Sequence, residues 1–398
     1  MDSVLILGTG LTGQSAGRYL KNKSDFTFFD SRDRENLPEN FSKNKEFLER
    51  LKSYEEIDLK NFSRVICSPG FDINHPIYRD IIRKKIPIET DLEIYTKKHN
   101  SKKILITGTN GKSSVCSMLE KVLTENGFKA KAIGNIGLPV LDYIEESLDF
   151  SLIEVSSFHL KISNNLKSDV STILNITEDH LDYHESFEEY FKIKNSIFKN
   201  AKIKIANEAN KTGIFNADIF FNSNNLDIDE QNLNAIEAIL IALNLNINFR
   251  ESLATYSKLE HRFENFHQDE KGRIFINDSK ATNIGAAVEA VKSAKKLGEV
   301  CILSGGRGKG VNFKEFSNFL SENCKNIILF GEDKNLIKKN INKDKFFEAD
   351  TLKEAISLAK KITLSNEVIL LSPACSSFDA FSSYQERGDV FKKIVLNE

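Results

Sequence analysis

The sequence predicts an α/β chain of three domains, each built on a mostly parallel sheet. Short apolar runs alternate with amphipathic stretches along nearly the whole chain, the pattern of parallel strands joined by helices. Most of those runs end on glycine-rich or polar turns, where ligands gather in open α/β sheets. A length of 398 residues also exceeds what one ordinary core organises. The expected divisions are residues 1–92, 93–258 and 259–398, with a Rossmann-like first domain, a central mononucleotide-binding domain and a smaller Rossmann-like third.

The first domain opens with VLILG (4–8), a helix from about Gln14 to Leu20, DFTFFD (25–30) and SRVICSPG (63–70). GTGLTG (8–13) is a G-x-G-x-x-G between strand and helix, with Asp30 ending the next strand. Small glycines there let a pyrophosphate approach a helix N-terminus, so any diphosphate nucleotide fits; a tight turn without ligand is the plainer reading. The second domain opens with KKILITG (102–108) and a helix through SSVCSMLEKVLTENG, closed by Gly127 as a C-cap. SLIEVSS (151–157) and DVSTILNIT (169–177) follow as strands, and the Asn-rich stretch 207–232 is expected to be irregular surface. From Leu259 the third domain carries RIFINDS, EVCILSGG, NIILFG and EVILLSPAC as strands.

Composition removes several classes of function. The balance of 55 basic and 57 acidic residues gives a net charge of -2, against nucleic acid held by bulk electrostatics. No apolar segment is long enough to span a membrane, and MDSVLILGTG lacks the basic and long apolar regions of a signal peptide. Cys67, Cys116, Cys301, Cys324 and Cys375 are scattered without C-x-x-C spacing, so reduced thiols in a cytoplasmic protein are expected.

The second glycine turn carries the chemistry. GTNGKSS (108–114) departs from G-x-x-x-x-G-K-[ST], yet it lies between strand and helix and ends in Lys-Ser. Lys112 can neutralise phosphate oxygens and Ser113 can ligate Mg²⁺, making this a variant P-loop. Glu154 in SLIEVSS suits a second Mg²⁺ ligand, or else a salt-bridged structural carboxylate. His180 in NITEDHLD is a ligand, a substrate contact or a solvated turn histidine; Lys194 in YFKIKNSIF reads by itself as an ordinary helical lysine. HRFE (261–264), NDSKATN (277–283), SGGRGKG (304–310) and SPACSSFD (372–379) are polar strand exits suited to anions, or simply solvated loops.

TGTNGKSS, GNIGLP, EVSSFHL, NITEDHLDYH, HRFE, NDSKATN and SPACSSFD stand in the order found in the Mur ligases. The chain resembles that family from Val4 to Gly388, and within it the branch that adds D-glutamate. The family, like folylpolyglutamate synthases, spells its P-loop T-G-T-N-G-K-[ST], which Thr107–Ser113 matches. The resemblance implies an ATP-dependent amide ligase joining D-glutamate to UDP-N-acetylmuramoyl-L-alanine through an acyl phosphate, in peptidoglycan precursor synthesis, with two Mg²⁺ ions and a monomer as the default. It implies that Leu11, Thr12, Asp30, Ser31, Arg32 and Gly70 hold the UDP part of the substrate. Gly108, Thr109, Asn110, Gly111, Lys112, Ser113, Ser114, Asn232, Arg262 and Asp278 would bind ATP. Ser113, Glu154, His180 and a carbamylated Lys194 would bind metal, with Lys112, Arg262 and Lys280 also catalytic. Asn135, Thr282, Lys309, Ser377, Phe378 and Tyr384 would contact the acceptor or D-glutamate. Two departures stand out: Ala235 replaces the second Asn of the family's Asn-x-x-Asn, and only 37 residues separate Lys194 from Asn232, implying a shortened central domain. An NAD-dependent oxidoreductase and a folylpolyglutamate-synthase-like ligase are the alternatives. The first leaves GTNGKSS, Glu154 and His180 without a use, and the second lacks an N-terminal UDP domain.

Overall fold

The computed structural model describes residues 3–397 except 211–212, 214–215, 224–225, 227 and 342–345. It forms two compact units, Met1–Ile176 with Phe191–Tyr256, and Thr177–Tyr190 with Ser257–Glu398. Three sheets are present among the described residues, two in the first unit and one in the second.

The first sheet contains β1 (Ser3–Leu7), β2 (Asp25–Phe29), β3 (Arg64–Cys67) and β4 (Ile88–Glu89), all parallel in the order β2-β1-β3-β4. Val4–Leu7 and Val65–Cys67 are buried along their whole length, as strands of a doubly covered parallel sheet must be. The chain leaves β1 for one neighbour and returns on its other side, so the crevice at the carboxyl end of β1 is the switch point of this sheet. The following helix, Leu11–Leu20, starts just after the second glycine of GTGLTG, three residues before the expected Gln14. Helix Asp91–Lys98 then leads to the second sheet, opened by a capping box in which Thr90 and Glu93 satisfy each other's backbone N–H.

That second sheet is wholly parallel, in the order β10-β9-β8-β5-β7-β6. Its strands are β5 (Lys102–Thr107), β6 (Ala130–Gly134), β7 (Phe150–Glu154), β8 (Ser168–Ile173), β9 (Ala201–Asn207) and β10 (Ile219–Phe221). β5 lies between β7 and β8, again at the point where the connection reverses. Helix Lys112–Glu125 ends as expected on Gly127, whose φ of 86° takes the left-handed conformation while Phe128 N–H returns to Leu123 O. The stretch 207–232 is more regular than its composition suggests. It contains β10, an edge strand, and the start of helix Ile228–Ala242. That helix buries Ala235, Ile236 and Ile239 against Val115, Leu119 and Val122, and this tertiary packing overrides a weak local signal.

In the second unit one sheet follows the order β11-β12-β16-β13-β14-β15. The strands are β11 (Glu264–Gln268), β12 (Ile274–Asn277), β13 (Val300–Gly305), β14 (Asn326–Phe330), β15 (Phe346–Glu348) and β16 (Val368–Leu371). β11 runs antiparallel to β12 and the other pairs are parallel. Hydrophobic clusters cover both faces of this sheet. Because β16 inserts between β12 and β13, the exits of NDSKATN, SPACSSFD and SGGRGKG lie side by side.

Candidate active site

At the end of β1 the glycines of GTGLTG have separate physical reasons. Gly8 has a φ of 96°, and a Cβ on Gly13 would stand 1.9 Å from Gly8 O, so helix and strand approach too closely for any side chain. Gly10 has an ordinary φ and open space around it. The fold itself does not require glycine there, which leaves room for a ligand. Asp30 gathers the crevice: its Oδ2 accepts from Thr9 N at 2.8 Å and Thr9 Oγ1 at 2.6 Å, and Arg32 grips both of its oxygens at 2.8 Å. Burial pushes the Asp30 carboxyl upward, but the Arg32 guanidinium, the Thr9 hydroxyl and two backbone N–H groups outweigh it and hold it below the usual range. Leu11, Ser31, Arg32 and Gly70 are exposed around it, and Thr12 is half-buried. The sequence reading missed Ser68, whose buried hydroxyl has no hydrogen-bond partner among the described residues and lies within 3.0 Å of where a Gly8 Cβ would be. SPG was the available signal, one residue before its proline.

The turn after β5 is held from outside. Thr109 N donates to Asn175 O and Asn110 N to Asn175 Oδ1, each at 2.8 Å, while Asn175 Nδ2 returns to Asn110 O. Asn175 was not among the expected residues, although the polar end of STILNIT beside β5 marked it. Gly111 has a φ of 86°, and its missing Cβ leaves space for Asn232, whose Oδ1 would stand only 2.4 Å from one. Asn232 therefore backs the turn, whereas Ala235, one helical turn on, belongs to the apolar core.

Around this turn the structure assembles Lys112, Ser113, Asn135, Glu154 and Lys194. Ser113 Oγ donates to Glu154 Oε2 at 2.5 Å, and Asn135 Nδ2 donates to Oε1 at 2.8 Å. Lys112 Nζ lies 2.9 Å from the carbonyls of Gly108 and Thr109; Lys194 Nζ lies 2.8 Å from Gly108 O. Lys194 is 1% exposed; its helix, Phe187–Asn195, turns Lys192 outward instead. Ser114 is half-buried at the start of the Lys112–Glu125 helix. His159, also missed, is buried with Nδ1 2.7 Å from Ser156 Oγ; burial lowers its pKa to about 4, with Glu154 pulling the other way, so the ring is neutral near pH 7. The oxygen donors Ser113 and Glu154 suit a hard divalent cation.

The second unit brings together a different set. Asp179 Oδ1 accepts from Lys309 Nζ at 3.0 Å and from His180 N at 2.9 Å; its Oδ2 accepts from Asn283 Nδ2 at 3.2 Å. Thr282 Oγ1 lies 3.5 Å from Lys309 Nζ. His180 takes a φ of 55°, uncommon for a side chain of its size. Glu154, Ser113 and Lys194 belong to the first unit and His180 to the second.

At the end of β12, Asp278 is buried between Phe263 N at 3.0 Å and Ser372 Oγ at 2.9 Å. Burial raises its pKa to about 7; Ser372, Phe263 N–H, Arg262 and Lys258 oppose the rise. The preceding turn is strained, with His261 at φ 61° and Phe263 at 46° on either side of half-buried Arg262. Lys280 Nζ sits 4.1 Å from the Tyr384 ring centroid, a cation–π contact. Ser377 is buried, while Phe378 is 65% exposed.

Against known sequences, residues 2–90 match the Mur ligase MurD-like N-terminal domain, 106–277 the Mur ligase middle domain, and 261–375 the Mur ligase glutamate ligase domain. A curated relative named UDP-N-acetylmuramoylalanine–D-glutamate ligase, from Francisella philomiragia, is 33% identical over 419 residues, covering 99% of this chain and 97% of its own. Among solved structures, the MurF ligase of Thermotoga maritima in complex with ADP superposes with a TM-score of 0.64 at 14% identity, covering 100% of this chain and 95% of that one. A bifunctional folylpolyglutamate/dihydrofolate synthase of Yersinia pestis, complexed with AMPPNP and Mn ion, reaches a TM-score of 0.57 at 16% identity, covering 76% of this chain and 90% of that one.

Proposed function

The chain belongs to the Mur ligase family, and from that premise we propose that it joins D-glutamate to UDP-N-acetylmuramoyl-L-alanine with conversion of ATP to ADP and phosphate. The observation that carries a phosphoryl-transfer reading is the Ser113–Glu154 contact at the mouth of a glycine turn toward which both Lys112 and Lys194 point. The choice of D-glutamate and of the UDP-linked acceptor rests on the full-length relative's name. Nucleotide substrates make this a cytoplasmic step of peptidoglycan precursor synthesis, with domains at 1–92, 93–258 and 259–398.

In this reading the open space at Gly10 admits the pyrophosphate of the UDP group, and the unsatisfied Ser68 hydroxyl donates to it. Asp30 fixes Arg32 at the rim of that crevice. The backbone of Gly108–Ser114, held by Asn175 and Asn232, cradles the ATP phosphates, and Lys112 exchanges its carbonyl contacts for phosphate oxygens. Ser113 and Glu154 would hold Mg²⁺, which when bound offsets the repulsion between a carboxylate and a triphosphate. Asn135 orients Glu154. Lys194 reacts as its neutral amine with CO₂, releasing a proton and leaving a carbamate at a position solvent barely reaches. In the second unit Arg262, Asp278 and Lys280 serve ATP and the transferring phosphoryl group. Thr282, Lys309 and Ser377 receive the carboxylates of D-glutamate, whose amine displaces phosphate from the alanyl acyl phosphate.

Phosphate release from the purified protein, given ATP, Mg²⁺ and UDP-N-acetylmuramoyl-L-alanine, tests the reading. D-Glutamate should support turnover, and L-glutamate, L-alanine and lysine should not. Equal or better turnover with one of those three, or none with any amine, contradicts it.

A further inference from the structure

Arg387 is 0% exposed and is the largest fully buried side chain among the described residues. Among the described residues its guanidinium makes no hydrogen bond to a carboxylate. Nε donates to Ser279 Oγ at 3.0 Å, and Nη2 donates to Ser279 O at 2.9 Å and Cys375 O at 3.1 Å. Nη1 is buried without a partner among the described residues, and a Cβ on Gly306 would come within 3.3 Å of it. One side chain thus touches the exits of β12 and β16 and lies against the exit of β13. Each of those loops carries a residue assigned above to D-glutamate, Thr282, Ser377 and Lys309, within three positions of the atom that meets Arg387.

A buried cation facing only neutral acceptors is an expensive way to tie loops together. Carbonyl groups could be bridged by an amide or a hydroxyl with no charge to desolvate, and apolar packing could fill the volume. The cost is understandable where an anion comes to the same loops, because a charge in a low-dielectric interior acts over several ångströms. Burial does depress the Arg387 pKa, to about 10, with Cys375, Asp379 and Asp278 opposing the fall, so the group remains a cation at neutral pH.

We propose that Arg387 is a positioning residue for the acidic amino-acid substrate: it pins the three strand exits in register and supplies beneath them a positive charge to which no carboxylate of the described residues is hydrogen-bonded. The inference rests on the placing of D-glutamate given above. It predicts a split among kinetic constants that a purely structural residue would not produce. Arg387→Met should raise KM for D-glutamate by about tenfold or more while leaving KM for the UDP-linked acceptor within about twofold. Arg387→Lys, which keeps the charge and loses the fork, should recover part of that affinity. If Arg387→Met is recovered only as aggregate, Ser279→Ala keeps the charge and the core and removes the Nε acceptor; D-glutamate KM should then rise about threefold. An unchanged D-glutamate KM in whichever of these two variants is soluble, or a parallel rise in both KM values, overturns the proposal. Lys309→Ala separates the two levels. If it raises D-glutamate KM and the Arg387 variants do not, this inference alone fails; if wild-type protein does not use D-glutamate, both fail.

Discussion

Lys194 donates to Gly108 O from a side chain that solvent barely reaches. Sequence alone made it one helical lysine among several, and only the resemblance to the Mur ligases separated it from Lys192. The structure separates them physically, because one is buried behind the phosphate-type turn and the other is exposed. Lys194→Ala should therefore reduce ligation by about two orders of magnitude or more, and Lys192→Ala should stay within about twofold of wild type. Bicarbonate labelled with ¹³C should give a carbamate resonance in wild-type protein that Lys194→Ala lacks. Full activity in Lys194→Ala would remove the lysine from the mechanism. Ser113 and Glu154, which the structure brings into contact, could be singled out from the sequence because a strand exit followed by Gly-Lys-Ser has few other uses. Asn175 and Ser68 left only a weak signal at their strand exits, and Arg387 left none, since it meets loops distant in sequence and looks like an ordinary polar residue where it stands.

At the scale of elements, helix Asp91–Lys98 begins with a carboxylate whose placement is costly. Asp91 is buried, its Oδ1 has no hydrogen-bond partner among the described residues, and burial raises its pKa to about 7 despite two backbone N–H groups and with a push from Glu93. The folded-state pKa lies above the unfolded value of 3.8, so folding favours the protonated form. This contribution to stability is complete below about pH 4 and is lost as pH rises through about 7. Asp91→Asn, neutral at every pH, should melt higher than wild type at pH 8 by an amount equivalent to about 2 kcal/mol. The gap should narrow toward pH 4, and a gap independent of pH would mean that charge is not the cause. Elements with strong local signals were legible in advance, as the helix closed by Gly127 was. The helix Ile228–Ala242 was not, because its polar first turn hid an apolar face that only the facing Lys112–Glu125 helix explains.

For the whole molecule, three α/β sheets followed from alternation and glycine punctuation, but membership of the units did not. Thr177–Tyr190 follows β8 in sequence and yet belongs with Ser257–Glu398, where Asp179 is held by Lys309 and Asn283. Contacts between residues more than 100 positions apart leave no local pattern to read. In hydrogen exchange of the full chain under mild denaturant, amides of 177–190 should open together with those of 257–398. Opening in step with β8 and β9 instead would contradict the division. The same interruption sets an order of events during synthesis. Lys309 is made only after 119 further residues, 191–309, have followed Tyr190, and at about 5–20 residues per second that is roughly 6–24 s of translation. Asp179 and its neighbours emerge from the ribosome before Asn283 and Lys309 exist. Throughout that interval they must be kept from wrong partners by solubility alone, and the acidic, histidine-containing run EDHLDYHE is well suited to waiting in water.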